Sequence, residues 1–191
     1  MAITAHHEAG HIVTSLAMGH EVVCAWVDLR GRDGLYGCYE LAVPPWAQEP
    51  MRHADVDLDK ARYLYGRLVV AWAGLVAEEE FCDRNGLDVT QDTDSDQDHF
   101  VSLLTLLVGN DDETARLVLS AATACAEEIL GSNWAVVESV AEALARWGDL
   151  AGQRICEVVS GAGGVRMEPA PLPAPLAALT TTVSDNVLRA H

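Results

Sequence analysis

Residues 7–11 read HEAGH, and this stretch decides how the beginning of the chain folds. Apolar residues continue behind it and Gly19 offers a stop, so the pattern predicts an amphipathic helix. On a helix, positions i and i+4 lie about 5–6 Å apart on one face, so both histidines can direct a ring nitrogen at one metal ion. We therefore expect His7 and His11 to bind Zn²⁺ and Glu8, the general base, to take a proton from a water molecule activated by the metal.

Length and charge narrow the class of protein. The chain has 191 residues, half of them hydrophobic, which indicates one domain with a proper core. It carries 12 basic and 29 acidic side chains and a net charge of −17. Such a surface repels nucleic acid and anionic membranes, so neither is an expected partner. Neutral or basic polypeptide segments are the favoured ligands.

Cysteine usage and hydropathy indicate the compartment. The five cysteines are scattered and contain no C-x-x-C pair, which argues against a disulfide framework and against a cysteine zinc cluster. The N-terminus lacks the charged and apolar regions of a signal peptide. The best apolar run, residues 68–77, is far shorter than the roughly 20 residues that cross a membrane. We expect a soluble, cytoplasmic protein.

The rest of the chain predicts a mainly α (α+β) fold with a small sheet after the first helix. Strands are predicted at 21–28 and 35–43 around a turn at 31–34, and an irregular loop at 46–55. Five further helices are predicted. The first begins at Asp55 or Asp57 and ends near Phe81, and the second begins at Ser95 or Asp96 and ends near Val108. The third runs from Asp111 or Asp112 to about Leu130, where Gly131 closes it, the fourth from Trp134 to Trp147, and the fifth from Ala151 to Val159. Asn133 or Ser132 is the expected cap of the fourth of these. Residues 1–162 form the predicted domain, and 163–191 a flexible Pro/Ala-rich tail.

A catalytic zinc usually has three protein ligands, so a third is needed. The metzincin completion would require Gly at position 14 and His at position 17, and Thr14 and Ala17 exclude it. The remaining candidates are acidic residues late in the long helix and before the Phe100 helix, with three isolated histidines as weaker ones: Glu78, Glu79, Glu80, the aspartates of 88–98, His20, His53 and His99.

Several segments, in the same order along the chain, resemble the peptidase domain of the FtsH-type AAA proteases. Residues 4–13 resemble that family's zinc helix, and 28–37 its R-G…L-G hairpin. Residues 73–79 resemble its G-G-R-x-A-E-E helix, and residues 133–152 its closing helices. The resemblance covers roughly residues 4–159 and implies a helical zinc-peptidase domain.

The resemblance also implies a third ligand, an Asp at the start of a helix, and the matching residue is Asp96. A helix N-terminus favours a charged carboxylate. The acidic run around this position leaves the register open by two residues, so Asp94 and Asp98 stay alternatives. Glu78 and Glu79 are further alternatives, and either could instead support a zinc histidine.

The predicted function is that of a zinc metallopeptidase, an endopeptidase that hydrolyses unfolded or flexible polypeptides. The sequence contains no G-x-x-x-x-G-K-[ST] motif, so the activity is expected to be ATP-independent. A homo-oligomer or a separate recruiting partner is compatible with the resemblance. The alternatives are a non-catalytic, zinc-containing binding or regulatory module and a metal-dependent hydrolase of another amide.

Overall fold

The computed structural model describes residues 2–28, 37–88, 94–166 and 171–177. They form a mainly helical fold with a small antiparallel sheet, which confirms the predicted fold class. The elements in chain order are α1 (Ala2–Ala17), β1 (Val22–Val27), β2 (Gly37–Leu41), α2 (Leu58–Asn85), α3 (Asp94–Val108), α4 (Asp112–Ser132), α5 (Trp134–Trp147), β3 (Asp149–Ala151) and α6 (Gly152–Gly161). None of the helices in this part of the chain is both long and apolar enough to span a membrane.

Helices α1 and α2 pack closely through small residues. A Cβ at Gly10 would lie 2.6 Å from the carbonyl oxygen of Ala73 and equally close to the side chain of Ala77, so only glycine fits there. Helix α1 ends as predicted before Gly19, whose φ of 79° lies in the left-handed region. This close contact places the face of α1 that carries the HEAGH residues directly against α2.

Helix α2 is the longest element, with 28 residues. The side chain of Asp57 caps its start by accepting a hydrogen bond of 2.9 Å from the backbone N–H of Lys60, as the sequence predicts. Its end lies beyond the predicted Phe81, because the helix continues to Asn85 and stops at Gly86, which has a φ of 62°.

The sheet has three strands in the order β2-β1-β3. Both pairings are antiparallel, and β1 has an irregularity between Val22 and Cys24. Strand β3 was not predicted, because a three-residue strand is too short to show an alternating pattern. The sequence prediction placed Ala151 at a helix start, but Ala151 pairs with Cys24 and α6 begins at Gly152. The predicted turn at 31–34 lies outside the described residues.

Two further predictions need correction at the end of α4. Gly131 does not close this helix, which continues to Ser132. Asn133 makes no side-chain cap for α5. Its side chain instead donates a 2.8 Å hydrogen bond to the carbonyl of Ile129 and accepts one of 2.8 Å from the backbone N–H of Arg166. The buried side-chain amide of Asn133 thus links α4 to the segment after α6 and does not cap α5.

The segment that follows α6 is partly packed against the domain. Leu176 is 1 % exposed and belongs to the hydrophobic core, and Leu172 packs against that core. Both leucines lie in residues 171–177, within the segment predicted as a Pro/Ala-rich tail. The flexibility of the tail stays a prediction. In the stretch predicted as an irregular loop, residues 45–48 and 53–55 form short 3-10 helices.

Candidate metal centre

Three side chains converge where α1 meets the start of α3. The Nε2 atoms of His7 and His11 lie 3.1 Å apart, and Oδ2 of Asp96 lies 2.8 Å from the first and 3.4 Å from the second. Three ligand atoms on one tetrahedral zinc ion lie about 3.3–3.5 Å apart, given metal–ligand distances of about 2.0–2.2 Å. The three atoms therefore already have nearly the spacing of a metal ligand set, and these residues form a group that could hold a metal ion.

Hydrogen bonds on the far side of each ring fix how the two histidines face the site. Nδ1 of His7 lies 3.2 Å from Oε2 of Glu78, and Nδ1 of His11 lies 2.7 Å from the carbonyl oxygen of Val70. Both partners are acceptors, so each Nδ1 carries a hydrogen and donates it. In the neutral rings both Nε2 lone pairs then point at one place, which is how metal-binding histidines are commonly held.

The charges of the site favour a cation at that place. Burial by itself lowers the pKa of His7, but the hydrogen bonds to Asp96 and Glu78 outweigh it and raise the pKa to about 9. Burial opposes the charge of Asp96 as well, yet its contacts with His11 and His7 hold the pKa of this carboxyl well below its usual range. A proton occupies the metal-free site, and a metal ion can replace it.

Two glycines leave room around the site. A Cβ at Gly74 on α2 would lie 2.6 Å from Nε2 of His7 and also against Nε2 of His11. A Cβ at Gly37, the first residue of β2, would collide with the carboxylate of Glu8. Any larger residue would therefore press on the two histidine rings at position 74 or on Glu8 at position 37.

Glu8 lies beside the three converging side chains and bonds to none of them. It is 5 % exposed, and its Oε2 has no hydrogen-bond partner among the described residues. Burial raises the pKa of this carboxyl, an effect that the nearby His11 and His7 partly oppose. A buried carboxylate oxygen without a partner is costly, so this Oε2 atom indicates a group that can accept a proton or contact a bound molecule.

Tyr39 on β2 is a site residue that sequence analysis missed. Its ring stacks on the ring of His11, with centroids 4.5 Å apart. Together with Gly37 it places β2 along the site, beside Glu8 and His11. The only available signal was its position two residues after a glycine in a predicted strand, and that does not show which helix the strand crosses.

The other candidates for the third ligand lie elsewhere. Glu78 contacts the far nitrogen of His7, so it supports a ligand, while Glu79 and Asp98 are exposed. His53 bonds to the carbonyl of Leu106, and the side chain of Asp94 lies outside the described residues. Two candidates contact other side chains, Glu80 with Arg84 and His99 with Arg67.

His20 lines a separate cavity of about 700 Å³ at the other end of α1. Its ring meets the ring of Tyr63 edge-on, with centroids 5.0 Å apart, and Trp46 contacts Tyr63 in the same way. Burial lowers the pKa of His20 to about 4, with a further contribution from Arg67. His20 is therefore neutral at pH 7. It takes no part in the candidate metal centre because it lies in this separate cavity.

The site spans a long stretch of sequence. His7 and Asp96 are 89 positions apart, and they meet only because α3 packs against α2, where the rings of Trp72 and Phe100 lie 5.0 Å apart. The fold and side chains thus define a helical protein with a candidate metal centre of two histidines and one aspartate. No protein-family model matches the chain, and no curated protein matches it. The resemblance to FtsH-type peptidase domains stays a prediction.

Proposed function

We propose that the protein is a zinc-dependent endopeptidase that hydrolyses unfolded or flexible polypeptides. The observation that carries the proposal is the convergence of His7, His11 and Asp96 beside the buried carboxylate of Glu8, whose Oε2 has no partner in the described part of the chain. A purely structural metal site has no use for such a carboxylate. A hydrolytic site needs one, because a proton must leave the attacking water and reach the leaving group.

The donor set supports zinc as the metal. Two imidazole nitrogens and one carboxylate oxygen are ligands that zinc accepts readily, whereas magnesium and calcium prefer oxygen ligands alone. Three protein ligands leave a fourth position free, as in catalytic zinc sites. When bound, zinc would lower the pKa of a water molecule towards about 7 and polarise the substrate carbonyl.

Glu8 is the residue proposed to move protons. Its carboxylate accepts a proton from the attacking water and then donates it to the nitrogen of the cleaved peptide bond. Burial raises the pKa of this carboxyl, which makes it a stronger proton acceptor than an exposed glutamate. Glu78 and the carbonyl of Val70 keep the two imidazole rings oriented during these steps.

Strand β2 is the proposed place for the substrate backbone. It lies at the edge of the sheet and pairs with β1 on one side only among the described strands. An extended peptide can add to such an edge through backbone hydrogen bonds, which gives affinity without a fixed side-chain sequence. Because β2 begins at Gly37, next to Glu8, the added strand would pass the candidate metal centre.

One comparison tests the proposal. Purified wild type and Glu8→Gln are loaded with zinc and incubated with an unfolded casein-like protein, and Glu79→Gln serves as a matched control because Glu79 is an exposed glutamate on α2. We expect Glu8→Gln to keep its zinc and to cleave at least about 100-fold more slowly, whereas Glu79→Gln cleaves like wild type. Equal inactivity of all three proteins would favour the non-catalytic binding module.

A further inference from the structure

Arg67 carries a positive charge that no described carboxylate neutralises. Its Nη1 donates a hydrogen bond of 3.3 Å to the hydroxyl of Tyr63, and its Nη2 donates one of 3.4 Å to Nε2 of His99. Its Nε is buried and has no partner among the described residues. Four arginines elsewhere do lie beside carboxylates: Arg52, Arg62, Arg84 and Arg154. A half-buried guanidinium held only by neutral groups keeps most of its capacity to bind an anion.

Arg67 and His99 each lie three residues away from a residue that takes part in the candidate metal centre. Arg67 precedes Val70 by three residues on α2, and the carbonyl of Val70 holds His11. His99, which contacts Arg67, follows Asp96 by three residues on α3. Three residues of helix advance by about 4.5 Å, so both members of the pair lie roughly one turn from residues of the centre.

The charge of Arg67 acts on His99, its hydrogen-bond partner. Burial lowers the pKa of His99, and Arg67 lowers it further, so His99 stays neutral and accepts the hydrogen bond. His99 is exposed, which leaves this side of the pair open to solvent.

We propose that Arg67 binds a carboxylate of the substrate beside the scissile bond, while Tyr63 and His99 hold its guanidinium in place. The carboxylate belongs either to the C-terminus of the substrate or to an Asp or Glu side chain. The inference rests on the proposed peptidase function and adds a substrate class to it.

The strong negative charge of the protein gives this contact its selectivity. With a net charge of −17, the surface repels acidic peptides in general. A peptide that places a carboxylate on Arg67 escapes that repulsion at one position only. Acidic groups elsewhere in the peptide weaken binding, so the position of the carboxylate matters more than the total charge.

Binding can be measured without turnover. Zinc-loaded Glu8→Gln is titrated with fluorescent peptides of one sequence that carry a C-terminal carboxylate or a C-terminal amide, and an internal Glu or an internal Gln. We expect one of the two carboxylate removals to weaken binding about ten-fold or more, as for a lost charge-assisted hydrogen bond. The peptide that responds identifies the source of the carboxylate.

The same peptides are then titrated into Glu8→Gln/Arg67→Gln, with Glu8→Gln/Arg62→Gln as the matched control, because Arg62 is an exposed arginine on α2. The first variant should bind all peptides equally weakly, and the control should keep the ten-fold difference. Arg67→Lys keeps the positive charge but lacks the planar guanidinium. It should keep part of the affinity difference between peptides with and without the carboxylate, even if Arg67→Gln folds poorly.

Three results would overturn the inference: equal binding of all four peptides, an undiminished carboxylate preference in Arg67→Gln, or no binding of any peptide. None of them decides whether the protein is a peptidase. That question depends on cleavage of unfolded protein by wild type and Glu8→Gln, so the two proposals fail separately.

Discussion

Replacing Gly74 by alanine should remove the metal without unfolding the protein. Alanine normally stabilises a helix by about 1 kcal/mol relative to glycine. Here the added Cβ would lie 2.6 Å from Nε2 of His7 and from Cε1 of His11. Non-bonded heavy atoms prefer about 3.5–4.0 Å, so the rings would have to move by about 1 Å. His11 is 1 % exposed and cannot swing into solvent.

The size of this ring displacement determines how much zinc affinity Gly74→Ala should lose. Metal–ligand distances tolerate deviations of only about 0.2 Å, so a shift of about 1 Å breaks ligation. Loss of a group that merely supports a ligand costs about 10–100-fold in metal affinity, and loss of the ligand geometry itself should cost at least about 100-fold. Zinc affinity is measured by competition with a chromophoric chelator, and zinc content by elemental analysis after dialysis.

Gly131→Ala provides the matched control. Gly131 also lies in a helix, and a Cβ there would meet nothing within 4 Å. This variant should bind zinc like wild type and gain up to about 1 kcal/mol of stability in thermal unfolding. If Gly74→Ala retained wild-type zinc affinity, the ring nitrogens could not be ligands in the arrangement described here.

Three further predictions concern the same centre. Asp96→Ala should lose zinc on dialysis while Asp98→Ala keeps it, and full zinc occupancy in Asp96→Ala would exclude this carboxylate as the third ligand. Glu78→Gln should stay folded and bind zinc about 10–100-fold more weakly in chelator competition, because the hydrogen bond to Nδ1 of His7 is weakened; unchanged affinity would contradict that role. The pKa of His7 is raised to about 9, so at pH 7.5 zinc must displace a proton that is absent above pH 10. Calorimetry in buffers of different ionisation enthalpy should therefore detect one proton fewer released at the higher pH, and an equal number at both would refute the assignment.

The raised pKa also affects the stability of the metal-free protein. The pKa of His7 is about 9 in the folded state and about 6.5 in the unfolded chain. The stabilisation from charged His7 is therefore fully present below about pH 6.5 and is lost as the pH rises to about 9. Zinc-loaded protein should lack this dependence, since the metal replaces the proton. Thermal unfolding of both forms across this range measures the difference.

Local sequence patterns were sufficient for some parts of the molecule. The spacing of His7 and His11, the cap at Asp57 and the bounds of α5 depend on residues within a few positions of each other. Asp96 was singled out only through the family resemblance, because its two neighbours in space are far away in the sequence and no local rule connects them.

The remaining features of the fold and the site depend on tertiary packing, which local sequence patterns do not show. The role of Glu78 depends on which residue of α2 lies opposite His7, and helical periodicity alone allows several. The sequence does not show that Gly37 lies against Glu8 or that Gly74 lies against the two histidine rings, because both contacts depend on which element packs there. Strand β3 exists because β1 offers it an edge, and its three residues carry no pattern of their own.

The separation of His7 and Asp96 along the chain has a consequence for how the protein folds. Contacts between residues 89 positions apart form late, because the entropy cost of closing the long loop between them comes before any stabilisation from the contact. The centre therefore cannot capture its metal until α3 has docked, and zinc uptake reports the completion of folding. Substitutions that loosen the docking of Phe100 on Trp72 should slow metal uptake during refolding, although neither residue is itself a proposed metal ligand.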